Sequence, residues 1–502
     1  MDLKRLIRDI PVVSLHGPPT CDVRGIAYDS RKVKKDYLFV AIPGEKKDGI
    51  EFEDDAVRSG AAAVVAKRHN PLPGHVVQIV VDEPRAALSL LSKAFFSNPS
   101  GKLRVTGVTG TSGKTTTTYL IESLLSAARA RPMVIGTINY RFMDDAIKAV
   151  NTTPESLDIA AVMHEYLSRG ATDAVMEVSS HAIAQGRVSG IEFDAAVFMN
   201  LTQDHLDYHK TMERYFEAKA GLFDVLLAAS GKDRKFAILN ADDPYAERIR
   251  VKDGITTLRF GRSEQADIRL LESRATLDGI AMELATPAGV IGLTSPLVGG
   301  HNVYNIMAAV AVALAYGVPP GDIQRGIASM RQVPGRAESV ENPAGVYALV
   351  DYAHKPDALE KVLLALKTLK KGRIVCVFGC GGDRDRGKRP LMGDIATRLA
   401  DVTIITSDNP RSERPEAIIA EIEKGVKGAR RIDAPGPGVR YDARVYAVIP
   451  DRGQAIAKAL EIAVRGDVVL VAGKGHEDYQ IVGDRTVHFS DREEIQRYFG
   501  SS

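Results

Sequence analysis

Residues 107–118, GVTGTSGKTTTT, constrain this chain more than any other stretch. They follow an apolar run, LRVTGVTG (103–110), that predicts a strand, and they open a helix predicted from Lys114 to Ala128. Gly107, Gly110 and Gly113 let the backbone curl until its N–H groups converge on an anion, and the helix N-terminus adds its dipole. In such a loop Lys114 is placed for the β- and γ-phosphates and the Thr115 hydroxyl for magnesium. The spacing is G-x-x-G-x-x-G-K-T; Val108 stands where the strict phosphate-loop pattern has its first glycine. Gly110, Thr111, Ser112, Gly113, Lys114, Thr115 and Thr116 are therefore candidate ATP contacts. A strand, a phosphate loop and a helix in succession point to an α/β chain with parallel strands.

At roughly 150 residues per domain, 502 residues allow about three domains. Block one, 1–98, carries strand candidates at 37–44, 61–68 and 75–82 and a helical stretch, PRAALSLLSKAFF; SNPSGK (97–102) reads as a linker. Block two, 99–332, alternates strands (103–110, 133–138, 173–180, 195–201, 235–240) with amphipathic helices. This rhythm implies a mostly parallel sheet covered by helices on both faces. Within it, 256–295 reads as a small antiparallel insertion. Block three, 333–502, repeats the β/α rhythm at 348–353, 373–382, 402–409 and 467–475, each run ending in a polar or glycine-rich tip. Open α/β sheets gather their chemistry at such tips.

Lys+Arg 66 against Asp+Glu 64 leaves a net charge of +2, which argues against a protein that coats nucleic acid. Three cysteines exclude a disulfide framework and fit a reducing compartment. No apolar run reaches the ~20 residues of a membrane helix, and the first residues lack a signal peptide's apolar core. A cytosolic monomer binding neither nucleic acid nor membrane is the expectation.

Other motifs sit at predicted strand tips. MEVSSHA places Glu177 at one, where its oxygens suit magnesium. NLTQDHLDYHK (200–210) offers Asp204, His205, Asp207 and His209; His205 is either a magnesium ligand or orienting group, or a helix-cap or surface histidine. Lys219, in ERYFEAKAGLF, reads from its residues alone as an ordinary helical lysine. DYAHKPD holds Asp351, His354 and Lys355, and HNVYN offers the amides of Asn302 and Asn305 to an adenine edge. GCGGDRDRGKRP (379–390) is basic but interrupted by acids, which suits a small anion better than a nucleic acid. SDNPRSERP presents Asp408, Asn409, Pro410 and Arg411, and AGKGHED presents Gly473 and Glu477. Each tip alone reads as a solvated loop; their number carries the weight. Cys376 and Cys380 read as small core residues.

GTSGKTT, EVSSHA, NLTQDHLDYH, HNVYN, GRAE and DYAHKPD, in that order, resemble the Mur ligase family, and the resemblance spans essentially the whole chain. It implies three domains: an N-terminal UDP-binding domain, a central P-loop ATPase and a C-terminal Rossmann-like domain that binds the amino acid. It implies ATP-dependent addition of an amino acid to the D-Glu of UDP-MurNAc-L-Ala-D-Glu through an acyl phosphate, in peptidoglycan precursor synthesis. By the same resemblance Lys114, Glu177, His205 and Lys219 are catalytic. Thr115, Glu177 and His205 serve magnesium, and Lys219 becomes a carbamate with CO2 and joins the metal site. Asn302, Asn305, Arg336 and Asp351 contact nucleotide. Ser30, and the loop Glu45 to Lys47, match UDP contacts; Asn151, Thr152, Thr153, Ser179, Gln185 and Arg187 match contacts to the muramoyl dipeptide.

DNPR at 408–411 resembles the family's signature for meso-diaminopimelate, whose far end carries a carboxylate and an ammonium. Arg411, helped by Arg384, would clamp that carboxylate and Glu477 would take the ammonium. L-Lysine lacks the carboxylate and would leave Arg411 unpaired. The rivals are the same ligase adding L-lysine, a folylpolyglutamate-synthetase-like ligase, a P-loop kinase or NTPase switch, and an ATP-binding scaffold without turnover. The synthetase needs no UDP-binding block, and the switch leaves the C-terminal tips unexplained.

Overall fold

Strands β1 (Val12–His16), β2 (Gly25–Ala27), β3 (Tyr37–Val40), β4 (Ala61–Ala66) and β5 (Val77–Val81) form one sheet in the order β1-β5-β4-β3-β2. The computed structural model describes residues 1–44, 47–433, 435–439 and 441–500. β5 is VQIVV and buried at every position, as a strand sandwiched on both faces must be. β2 through β5 pair in parallel, and β1 closes the edge antiparallel to β5. The predicted linker at 97–102 is instead a helical turn, Pro99–Lys102. Asn98, at φ 51°, accepts from Gly101 N, and Pro99 occupies the first turn, where its missing N–H costs nothing.

The second sheet is built around β6 (Arg104–Thr109). It continues through β7 (Pro132–Ile135), β8 (Asn139–Phe142), β9 (Asp145–Lys148), β10 (Asp173–Glu177), β11 (Ala195–Phe198), β12 (Phe236–Asn240) and β13 (Thr256–Gly261). Their order is β13-β12-β11-β6-β10-β7-β8-β9. Pairing is parallel from β13 to β7 and antiparallel through β8 and β9, a hairpin edge the sequence reading did not anticipate. β10, β11 and β12 are buried throughout, so both faces of this sheet are covered. The insertion expected at 256–295 begins later than predicted, since Thr256–Gly261 pairs parallel with β12. Toward the margin of a sheet alternate residues meet water, so an alternating pattern there does not reveal strand direction. β14 (Ile268–Thr276), β15 (Gly279–Thr286) and β16 (Gly289–Ser295) then follow in succession, the last two with alternating burial. With β10 and β11 flanking β6, three loops converge at one sheet edge: 110–114, 178–180 and 199–205.

The third sheet comprises β17 (Glu338–Val340), β18 (Tyr347–Asp351), β19 (Ile374–Phe378), β20 (Val402–Ile405), β21 (Arg430–Arg431), β22 (Val445–Val448) and β23 (Val468–Ala472), in the order β17-β18-β23-β19-β20-β22-β21. It is parallel from β18 onward. The register Asp351↔Ala472↔Phe378↔Ile405 brings the loops at 352, 379, 406 and 473 to one edge. A hairpin, β24 (Tyr479–Val482) and β25 (Arg485–His488), lies beyond β23. The chain divides into two compact units. One holds Met1–Leu270, Leu284–Ile291 and Tyr304–Gly326; the other holds Leu271–Glu283, Gly292–Val303 and the chain from Ile327 onward. No helix among the described residues is long and apolar enough to cross a membrane.

Candidate active site

The loop after β6 is shaped for an anion. Gly113 adopts φ 89°, and a Cβ there would lie 2.5 Å from Asn305 Oδ1, so the position admits only glycine without strain. Asn200, just past β11, splints the loop. Its carbonyl accepts from Thr111 N (2.9 Å), its Oδ1 accepts from Ser112 N (2.9 Å), and its Nδ2 donates to Ser112 O (3.1 Å). Lys114 opens the helix Lys114–Ala127 and bends back, donating to Gly110 O at 2.7 Å and Thr111 O at 3.2 Å. Thr116 is buried on that helix, and Asn305 reaches it through Thr117, whose hydroxyl donates to Asn305 Oδ1 at 3.5 Å.

Glu177, the last residue of β10, is buried beside this loop. Its Oε2 accepts from the hydroxyls of Thr115 and Thr137, both at 3.0 Å, and its Oε1 from Thr137 N at 2.8 Å. Thr152, Thr153, Ser179 and Arg187 gather around the end of this strand. Thr153 donates to Glu177 O (2.8 Å) and accepts from Ser179 N (3.0 Å), and Thr152 lies 3.1 Å from the Thr137 hydroxyl. Asn151 O accepts from Tyr140 OH at 2.9 Å. Arg187 donates to Thr153 O at 3.0 Å and pairs with Glu155 at 3.3 Å, whose other oxygen faces Arg85 at 3.4 Å. Gln185 Oε1 is buried without a hydrogen-bond partner, a feature that suits a polar ligand. Ser30 is buried at the start of a short 3-10 helix, Ser30–Lys32, and among the described residues no hydrogen bond joins it to the 151–187 group. Glu45 and Lys46 lie outside the described residues; Lys47 Nζ stands 5.5 Å from the Phe52 ring.

Lys219 is no ordinary helical lysine. Its side chain is 1 % exposed, donates to Gly110 O at 2.9 Å and lies 4.6 Å from the Tyr215 ring centre. Burial, and then the neighbouring charge of Lys114, hold its pKa well below that of an ordinary lysine, with Asp204 opposing. Both effects disfavour the charged form of the amine. His205 adopts φ 54° at the tip after β11, with Nε2 3.7 Å from Asp204 and its ring centre 4.9 Å from His181 and 6.0 Å from Tyr215. His209 is buried 3.0 Å from Ser180 Oγ, and burial lowers its pKa.

The second unit carries its own cluster. Asp351 ends β18 and accepts from Ala337 N (2.7 Å) and Ala353 N (2.9 Å). Burial raises its pKa against the pull of Arg336, whose guanidinium stands 5.1 Å from the Tyr352 ring. Asn302 donates to Val298 O at 2.8 Å as the first residue of the helix Asn302–Ala315. Past β20, Asn409 donates to Glu477 Oε2 (3.0 Å) and accepts from Ile481 N (3.0 Å). Lys474, fully buried, lies 3.2 Å from Asn409 Oδ1, 3.3 Å from Glu477 and 3.7 Å from Asp408. Burial raises the Glu477 pKa while Lys474 lowers it. Gly473 N donates to Asp351 O at 3.0 Å. Arg411, at φ 52° after Pro410, donates to Gly382 O at 2.8 Å, and Arg384 is exposed on the facing loop, donating to Asp383 O at 3.2 Å.

Sequence reasoning passed over Thr137, Asn200, Glu155, Arg85 and Lys474. Lys474 and Asn200 sit inside the quoted AGKGHED and NLTQDHLDYHK, but nothing local marks their roles; Thr137, Glu155 and Arg85 reach the site only through tertiary contacts. Among the described residues no group of three or more His, Cys, Asp or Glu side chains could hold a metal. A cation here would thus rely on the Thr115 hydroxyl, the Glu177 carboxylate and ligand oxygens.

Three family models match the chain in order: "Mur ligase family, catalytic domain" over residues 22–96, "Mur ligase middle domain" over 108–313 and "Mur ligase, glutamate ligase domain" over 335–475. The UDP-N-acetylmuramoyl-L-alanyl-D-glutamate--2,6-diaminopimelate ligase of Geobacter metallireducens is 46% identical over 502 residues, 99% of this chain and 98% of that one. The ligase of the same description from Geobacillus thermodenitrificans is 43% identical over 493 residues, 98% of each chain. A solved structure of such a ligase superposes with TM-score 0.72 at 32% identity, covering 100% and 99% of the two chains. The MurF ligase of Thermotoga maritima, solved in complex with ADP, shares the fold at 22% identity and TM-score 0.62, over 95% of this chain and 97% of that one.

Proposed function

The chain belongs to the Mur ligase family, and from that premise we propose that it joins meso-2,6-diaminopimelate to the D-Glu of UDP-MurNAc-L-Ala-D-Glu at the expense of ATP, as a step in cytoplasmic peptidoglycan precursor synthesis. The domains follow the three blocks: 1–98 for the UDP end, 99–332 for ATP and 333–502 for the incoming amino acid. A carboxylate is a poor acyl donor. Its oxygen attacks the γ-phosphorus, ADP leaves, and the resulting acyl phosphate carries a good leaving group. The amine then attacks the carbonyl, phosphate departs, and the nitrogen loses a proton to leave the amide.

Bringing a carboxylate to a triphosphate sets anion against anion, so the site must supply positive charge and convergent N–H donors. Lys114 and the backbone of 113–115 do so, and Asn302, Asn305, Arg336 and Asp351 contact the nucleotide. Thr115 and Glu177 offer the hard oxygens that magnesium prefers, and His205 serves a second ion; bound there, magnesium neutralises phosphate charge. The Lys219 amine, buried and with its charged form disfavoured, attacks CO2 once deprotonated. Nitrogen gains the carbon and loses a proton, and a would-be cation becomes an anion that can join the metal site. The dipeptide is held by Asn151, Thr152, Thr153, Ser179, Gln185 and Arg187, and UDP by Ser30.

The observation that carries this reading is the convergence of Thr115, Glu177 and the buried Lys219 on one glycine loop. For the amine, Arg411 and Arg384 take the far carboxylate and Glu477, with Asp408, Asn409 and Gly473, the ammonium end. A site built around a polar group rejects an analogue lacking it by ~10⁴, which favours diaminopimelate over L-lysine. Purified protein with ATP, magnesium and the UDP-dipeptide should yield tripeptide with diaminopimelate and none with lysine. ADP without amide product would overturn the reading.

A further inference from the structure

The loop bearing Arg384 and the loop bearing Arg411 meet at two residues with left-handed backbone, Asp383 (φ 53°) and Arg411 (φ 52°). Neither is glycine, so each conformation persists only where neighbouring bonds enforce it. Those bonds run from one loop to the other. Ser412 donates through its hydroxyl to Asp383 Oδ1 (2.6 Å) and through its N–H to Oδ2 (3.2 Å). Asp383 N donates to Glu413 Oε1 at 2.7 Å, and Gly382 N to Asn409 O at 2.9 Å. The loops approach so closely that a Cβ on Gly382 would lie 1.9 Å from Pro410 O.

Beneath them Arg389 is wholly buried. It grips Glu413 with both terminal nitrogens, Nη2 to Oε1 at 2.7 Å and Nη1 to Oε2 at 2.9 Å, and also donates to Gly381 O at 3.2 Å. Glu421 holds its outer side at 2.8 Å and is itself paired with Arg386. A forked guanidinium on a carboxylate fixes angle as well as distance. Asp383 immediately precedes Arg384, and only Ser412 separates Glu413 from Arg411, so this pair sets where both arginines emerge.

We propose that Arg389 and Glu413, with Ser412 and Asp383, are positioning residues that fix the spacing of Arg384 and Arg411 and so determine selection of an amino acid with a second carboxylate. The proposal rests on the amino-acid assignment above. A strut acting on these loops alone should change use of the incoming amine and leave ATP and the UDP-dipeptide untouched; a merely structural pair would not divide them so.

The test is steady-state kinetics of the full-length enzyme bearing Glu413→Gln or Ser412→Ala, with Glu416→Gln, an exposed neighbour, as control. Glu413→Gln is expected to raise KM for diaminopimelate about tenfold or more, and Ser412→Ala by less. KM for ATP and for the UDP-dipeptide should stay at wild-type values, and the preference for diaminopimelate over lysine should narrow. Unchanged amine KM and preference in both variants, or an equal rise for all three substrates, would overturn it. Should Glu413→Gln fail to fold, Ser412→Ala decides the matter by the same criteria. A wild-type enzyme that does not use diaminopimelate defeats the functional assignment instead, and is visible before any variant is made.

Discussion

At the edge of the central sheet, the proposed phosphate contacts are the backbone of a glycine loop, splinted by Asn200, and one lysine that bends back over it. At the edge of the C-terminal sheet the proposed contacts are long charged side chains, Arg384, Arg411 and Glu477, raised on loops that bond to each other. Backbone donors suit a phosphate common to every member of a reaction class; side chains suit the one substrate that varies. A backbone cradle also needs a fixed spacing of residues, whereas a side-chain network can recruit partners from anywhere in the sheet.

The sharpest way to break this contrast is Lys219, a buried long side chain in the backbone-made site. Lys219→Ala should cost about 10³-fold in kcat, with activity restored by small carboxylic acids that stand in for the carbamate; a fully active variant would remove the carbamate role. Arg411→Ala should lower kcat/KM for diaminopimelate about 10²-fold or more with KM for ATP held. Arg411→Lys should not restore it, since a point charge lacks the planar fork. Near-normal activity in either variant would sink the role given to DNPR. Gly113→Ala should raise KM for ATP about tenfold by forcing a Cβ into Asn305, while leaving KM for diaminopimelate unchanged.

The smallest effect is on stability in acid. Arg389 and Asp383 N pull the Glu413 pKa from 4.5 to about 2, and Arg386 with Arg389 does the same for Glu421. A carboxylate with a depressed folded-state pKa stabilises above its ordinary value and loses that contribution as pH falls through the depressed one. The Tm difference between wild type and Glu413→Gln, present at neutral pH, should therefore close between pH 4.5 and about 2. A gap independent of pH would mean that Glu413 acts by packing rather than by charge.

The same contrast explains what could be read from the chain. The phosphate loop was legible because glycine spacing is itself the signal, and the strands around it because parallel, doubly covered strands are continuous apolar runs. Glu177, Asp351 and Arg411 were visible as polar residues at the ends of such runs. Lys219 was not, except by family resemblance, because nothing in a helical FEAKAGLF tells a buried amine from a solvated one. The Arg389–Glu413 clamp and Lys474 escaped for a related reason: their partners lie on other loops, joined by sheet register rather than by sequence spacing. The β8–β9 hairpin and the helical turn at Pro99–Lys102 were hidden among short polar residues that serve loops equally well.

The most direct measurement is product mass from purified enzyme with magnesium-ATP, UDP-MurNAc-L-Ala-D-Glu and either meso-diaminopimelate, L-lysine or no amine, with ADP followed in parallel. Amide product and stoichiometric ADP with diaminopimelate alone are expected. Product with lysine at a comparable rate would contradict the assignment of Arg411, and ADP without any amide would contradict the ligase itself.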